Sequence, residues 1–248
     1  MKRLAFVSMV VAAMSASPGA QSLTATRTIG ERLVASMPLA PCGVPFIAER
    51  ISEIARVPAG IEFVPGCARY EPRRPAGAEE MSLLGLTAEE ALDRLMAIDP
   101  RYRWAETEGM ILVRPLEAWT DARHFMNATV SDFGFVEQNV GAAAAMLLAA
   151  LRGEAIVPPT LEVPGRTDEG NRRFSLRPRT TSLLEAANDV ARAHGGLHWT
   201  LSYCKPERRA EYALFMLTTF DHSGLGGEGP RSVVRGPDGQ LRSICAPD

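Results

Sequence analysis

Lysine is nearly missing from this 248-residue chain, with Lys2 and Lys205 its only examples. Arginine supplies the rest of the positive charge, and the formal net charge is −2. A nucleic-acid surface needs a positive excess to displace counterions from phosphates, so nucleic acid is not an expected partner. Long hydrophobic runs are missing as well. Beyond the N-terminus the longest, Val140 to Leu151, falls short of the roughly 20 apolar residues that cross a bilayer, and no transmembrane segment is expected there.

The chemistry-bearing motifs are equally sparse. No Gly-x-Ser-x-Gly elbow occurs, and Asp132-Phe133-Gly134 stands without the other parts of a kinase. Gly224, Gly226 and Gly229 have a dinucleotide-binding spacing but neither a strand before nor a helix after them. Glu89 and Glu90 fall at a helix start, where capping and the helix dipole account for them. His194 and His198 have the i, i+4 spacing of a helical metal pair, yet Gly195-Gly196 between them ends a helix. His198 is then expected to point outward, opposite Leu197 and Trp199. No catalytic residue, cofactor or metal is expected, and the chain reads as a non-enzyme.

What is present begins with Lys2-Arg3, a short apolar run from Leu4 to Met14, and small residues at Ser15, Ala16, Ser17, Gly19 and Ala20. This is the pattern of a cleavable signal peptide over residues 1–20, with a cut after Ser17 as the alternative. A periplasmic or secreted location follows. In an oxidising compartment Cys42, Cys67, Cys204 and Cys245 are candidates for disulfides. Sequence order favours Cys42 with Cys67 and Cys204 with Cys245, four cysteines allow three pairings, and four unpaired thiols are the alternative. Their spacing fits no zinc pattern.

Along the chain, Thr28 to Glu31 has capping-box spacing and predicts a helix to Met37, stopped by Pro38. A second helix is predicted from Pro45 to Arg56, then a strand Ile61 to Val64 alternating in and out. A loop spans Pro65 to Ala78 and a short strand Met81 to Leu84. Thr87 with Glu90 opens the clearest helix, which Asp99-Pro100 ends. Tyr102 to Trp104 and Met110 to Val113 then form a hairpin around Glu106 to Gly109.

The same order returns: a strand-like stretch Phe125 to Val130, a helix Gln138 to Leu151, and an extended segment Ile156 to Val163. A loop Pro164 to Asn171, a strand Arg173 to Leu176 and a helix from Ser182 to Gly195-Gly196 follow. The last hairpin pairs Leu197, Trp199, Leu201 and Tyr203, alternating in and out, with Tyr212 to Phe220. A shift of 95 residues lays Thr87 on Ser182, Glu90 on Glu185, Leu95 on Val190, Trp104 on Trp199 and Ile47 on Ala142. Trp104 and Trp199 alternate with polar residues, which reads as core packing rather than ligand stacking.

The stretch MSLLGLTAEEALDRLMAIDPRYRWAETEGMILVRP, preceded by FIAERISEIARVPAGIEFVP, resembles the short N-terminal (STN) domain shared by secretins and TonB-dependent transducers. The likeness covers Cys42 to Pro115. The second unit resembles the family more distantly, having Arg177-Pro178-Arg179 where a smooth entry to its helix is expected. The resemblance implies a βαβ–βαββ fold, contact with envelope proteins, and no catalytic residues.

The resulting expectation is an α+β protein. Residues 1–20 are a signal peptide, 21–41 a helical lead-in, 42–118 and 119–220 two STN-like units, and 221–248 a flexible tail. Its function is to bind or scaffold envelope proteins through a free strand edge or a helix-free sheet face. A ligand sensor with a pocket between the units and a periplasmic hydrolase are the alternatives.

Overall fold

Among the described residues, three α-helices begin at side-chain caps and three stop at left-handed residues. In the computed structural model, which describes residues 36–38, 44–63, 80–82, 84–157, 168–203, 213–220, 233–235 and 241–243, α1 covers Val44–Ala55. It ends with Arg56 at φ 55° and a 3.0 Å hydrogen bond from Val57 N–H to the Ser52 carbonyl, a Schellman-type closure. Helix α2, Ala88–Ile98, carries the expected capping box: Thr87 Oγ1 accepts from Glu90 N–H at 3.1 Å, and Glu90 accepts from Thr87 N–H at 2.7 Å. After α3 (Leu116–Thr120), helix α4, Val140–Arg152, is capped by Asn139 and ended by Gly153. Beyond α5 (Asp168–Asn171), helix α6, Leu183–His194, is capped by Ser182 and ended by Gly195.

Among the described residues, the strands form one central mixed sheet and three antiparallel pairs. Strands β4 (Tyr102–Thr107) and β5 (Met110–Pro115) make one hairpin, turned by Glu108 and Gly109 at φ 51° and 75°. Strands β8 (Leu197–Tyr203) and β9 (Ala213–Thr219) make the other. Between the hairpins runs β2 (Ala59–Phe63), parallel to both β5 and β8, so the order is β4-β5-β2-β8-β9. The pairs are β1 (Ser36–Pro38) with β3 (Glu80–Ser82), β6 (Thr129–Gln138) with β7 (Phe174–Ser182), and β10 (Val233–Arg235) with β11 (Leu241–Ser243).

This sheet has helices on both faces. Ile61, Phe63, Ile111 and Val113 pack with the buried sides of α1 and α2. Leu112, Trp199, Leu201 and Tyr203 pack with α4, α6 and the β6–β7 ribbon. The protein is therefore α+β with strands from both halves of the chain in a single layer, and neither hairpin stands with its own separate sheet.

Two-sided burial corrects several expectations. Strand β2 is buried at every position rather than alternating, with Glu62 inside, and β8 likewise encloses His198, Thr200 and Ser202. The helix-free face expected of each unit does not exist around β2, because the second half of the chain supplies the helices that cover it. Ser36–Pro38 is a strand rather than a helix end, since it pairs with Glu80–Ser82. Phe125–Asn127 is a 3₁₀ turn, and the strand follows it from Thr129. Residues 233–235 and 241–243 of the expected tail pair with each other. The signal peptide, the four cysteines and the 65–78 loop lie outside the described residues.

Gly60 shows how closely the layers meet. It sits beside Trp199 in the β2–β8 register, and a Cβ on it would lie 2.2 Å from the indole ring. The ring is held in place by its Nε1–H bond to Asn188 Oδ1 at 3.0 Å. Gly60→Ala is expected to destabilise the protein by about 1–3 kcal/mol in urea unfolding. Combined with Trp199→Leu it should cost less than the sum of the two single changes; strict additivity would show that the contact does not exist.

Candidate functional site

Enclosing β2 and β5 on both faces obliges their charged residues to find partners inside the protein. Glu62 is the fourth residue of β2 and Arg114 the fifth of β5, each on the face toward α6, and both are fully enclosed. The Arg114 guanidinium donates through Nε to Glu62 Oε1. Two further residues complete a ring. His124 enters from the segment between α3 and the 3₁₀ turn, and Tyr203 from the end of β8.

The hydrogen bonds of this ring assign its protons. His124 Nδ1 faces two donors, Met126 N–H at 3.3 Å and Arg114 Nη2 at 3.4 Å, so it accepts. The ring proton is then on Nε2, which donates to the Tyr203 hydroxyl at 3.2 Å, and that hydroxyl donates to Glu62 Oε2 at 3.3 Å. Each member thereby has a partner, which is what an enclosed polar network requires. Phe125 stacks on His124 with ring centres 4.7 Å apart, and its edge-to-face contact with Tyr203 closes the same side. Trp119 lies against Arg114 and, through a second cation–π contact, against Arg103.

Burial controls the titration of this group. It pushes the Glu62 carboxyl above the usual carboxylate range, against the pull of Arg114 and of the hydrogen bonds from Arg114 and Tyr203. It lowers His124 to about 4, with the Arg114 charge acting in the same direction. Tyr203 is raised by burial and by the Glu62 charge, and so stays a donor. A neutral His124, a protonated Tyr203 and a carboxylate locked on arginine offer no exposed nucleophile or base. Mechanically, the ring bolts β5, β2 and β8 together across the middle of the sheet.

Elsewhere the structure separates the histidines that the sequence places four apart. His194 ends α6, with Nε2 at 3.1 Å from the Glu169 carbonyl. His198 is fully buried rather than outward-facing, and it turns toward α1, with Nε2 at 2.6 Å from Glu49 Oε1. The expected core role of Trp199 holds, and Trp104 is half-buried with its Nε1–H on Asp93 at 2.8 Å. Sequence reading passed over Glu62, Arg114, His124 and Tyr203. The signal available was the unbroken apolar run Met110 to Val113 leading into Arg114, and a lone glutamate between Ile61 and Phe63. Both mark strands buried on two faces. The chain matches no protein-family model, no curated protein and no solved structure.

Removing one member leaves the other charge enclosed. Glu62→Gln is expected to cost about 3–5 kcal/mol, and the paired replacement Glu62→Leu with Arg114→Met less than that single change, by chemical denaturation. The pH dependence follows from His124. Its folded value of about 4 lies below the ordinary 6.5, so its stabilisation is complete above pH 6.5 and is lost as the pH falls toward 4. Glu62, raised by burial, acts in the opposite sense. The stability advantage of the native chain over His124→Gln should therefore shrink between pH 6.5 and 4, and a constant difference across that window would contradict the assignment.

Proposed function

We propose that this chain is an exported protein of the bacterial envelope that acts by contact with other proteins, through the outer edge of β9. The observation that carries the reading is the contrast between its strand edges. An unpaired strand edge invites another chain, and proteins usually blunt such edges with charge, proline or bulges. The β6–β7 ribbon has all three. Asp132 and Glu137 take positive φ at bulges, Pro178 lies within β7, and Gly134 opposite it approaches so closely that a Cβ would meet the Pro178 backbone at 2.4 Å. Edge strand β4 carries Arg103 and Glu106.

Strand β9 has none of these devices. It reads ALFMLTT, without charge, proline or glycine, and it pairs with β8 over seven residues with no register shift. Among the described residues β8 is its sheet neighbour, and residues 213–218 have the length that strand addition uses. The closed interior of the polar ring directs function to the surface rather than to a reaction centre.

The STN-like reading belongs to the same proposal. A shift of 95 residues carries the N-cap Thr87 onto the N-cap Ser182 and the first residue of β4, Tyr102, onto the first of β8, Leu197. In each half an antiparallel strand pair, two helices and a hairpin recur in the same order. The departure is at the second strand: Glu154–Val157, where a copy of β2 would begin, has no strand. Export rests on the signal-peptide pattern of residues 1–20.

Met216 is half-buried at the centre of β9 and opposite Thr200. Met216→Lys places a gatekeeper charge on the edge. Affinity capture from periplasmic extract is expected to return a reproducible partner with the native chain and to lose it with Met216→Lys, while the unfolding midpoint moves by a few degrees at most. Equal recovery by both proteins sinks the edge reading, and absence of any reproducible partner counts against the function.

A further inference from the structure

The face of the sheet opposite the polar ring holds a second cluster of titratable groups. Glu49 and Glu53 are one turn apart on α1, so their side chains leave the same side of the helix. His198 reaches them from β8, and one donor atom from each of the three lies within 4.8 Å of the others. The side chains are largely withdrawn from water: His198 is 0% exposed, Glu53 8% and Glu49 19%.

Charge in this cluster is incompletely balanced by the protein. Glu53 has Arg50 at 2.7 Å, an ion pair whose arginine is half in solvent and which contributes little. Among the described residues, the polar partner of Glu49 is His198. Independently of the carboxylates, His198 Nδ1 is buried without a hydrogen-bond partner among the described residues, where the imidazole's polar contact is on its Nε2 side, toward Glu49. Two carboxylates and an imidazole converging in a mostly dry pocket form a set of three donors with a deficit of positive charge.

We propose that Glu49, Glu53 and His198 bind a first-row divalent cation, zinc fitting best. Magnesium and calcium prefer shells made entirely of oxygen, whereas one imidazole and two carboxylates suit zinc. Donors bound to zinc at about 2.0–2.2 Å lie about 3.3–3.6 Å apart in a tetrahedron. The present spacing, from 2.6 Å between His198 and Glu49 up to 4.8 Å, brackets that range, so small side-chain shifts complete the site. Three protein ligands leave a fourth position, and the partial exposure of Glu49 puts it on the solvent side. The cation ties α1 of the first half to β8 of the second.

The test is titration of the purified full-length chain with zinc alone and with cobalt alone, after thiol alkylation so that the cysteines supply no ligands. Binding of one equivalent is expected, with a cobalt spectrum of nitrogen and oxygen ligation and a raised unfolding midpoint. Glu49→Gln and Glu53→Gln should each weaken zinc by about tenfold or more, whereas Glu89→Gln, on α2, should not. Circular dichroism without metal checks that the variants are folded. No saturable binding, affinity unchanged in both α1 variants, or magnesium binding as tightly as zinc each overturns the proposal.

Discussion

An arginine and a glutamate enclosed in the middle of a sheet set the terms for everything around them. Moving either charge out of water costs several kcal/mol, and their mutual attraction offsets this only when the remaining donors and acceptors are also met. Here His124 and Tyr203 meet them, and each comes from a different part of the chain. The ring therefore forms only after β2, β5 and β8 have come together. A shifted register would leave a buried charge unpaired, so the ring favours this arrangement. Gly60 and Trp199 enforce the same register sterically, two residues along β2 from Glu62 on the same face.

Two-sided burial also explains the strand chemistry. A sheet covered by α1 and α2 on one side and by α4 and α6 on the other has no solvent face on its inner strands, so polar residues there become interior groups. Glu62 and His198 stand on opposite faces of neighbouring strands and arrive at different solutions. Glu62 meets a permanent cation in Arg114, and His198 meets the carboxylates of α1. The outermost strands keep one edge outside this enclosure. They differ in charge: β4 carries Arg103 and Glu106, whereas β9 has no charged residue.

Much of the local structure was legible along the chain. The Thr87–Glu90 capping box, the Ser182 cap, the Gly153 and Gly195 stops and the turn at Glu108-Gly109 all stand where local chemistry puts them. Each depends on residues at most four apart, so no knowledge of the remaining chain is needed. The α+β class follows from the same signals. Legibility failed where a residue's surroundings come from far away. His198 lies 149 residues from Glu49, and Tyr203 lies 141 from Glu62.

By itself, the sequence determined the caps of α2 and α6, the glycine stops of α4 and α6 and the two hairpins, because these rest on short-range hydrogen bonds and periodicity. It also determined the uncharged character of β9. Only the tertiary structure decided that both halves share one sheet, that β2 and β8 have no outer face, and that His198 turns inward to α1. The physical reason is that alternation of polar and apolar residues reveals which side of a strand faces apolar neighbours, but not whether the other side faces water or a second layer of helices.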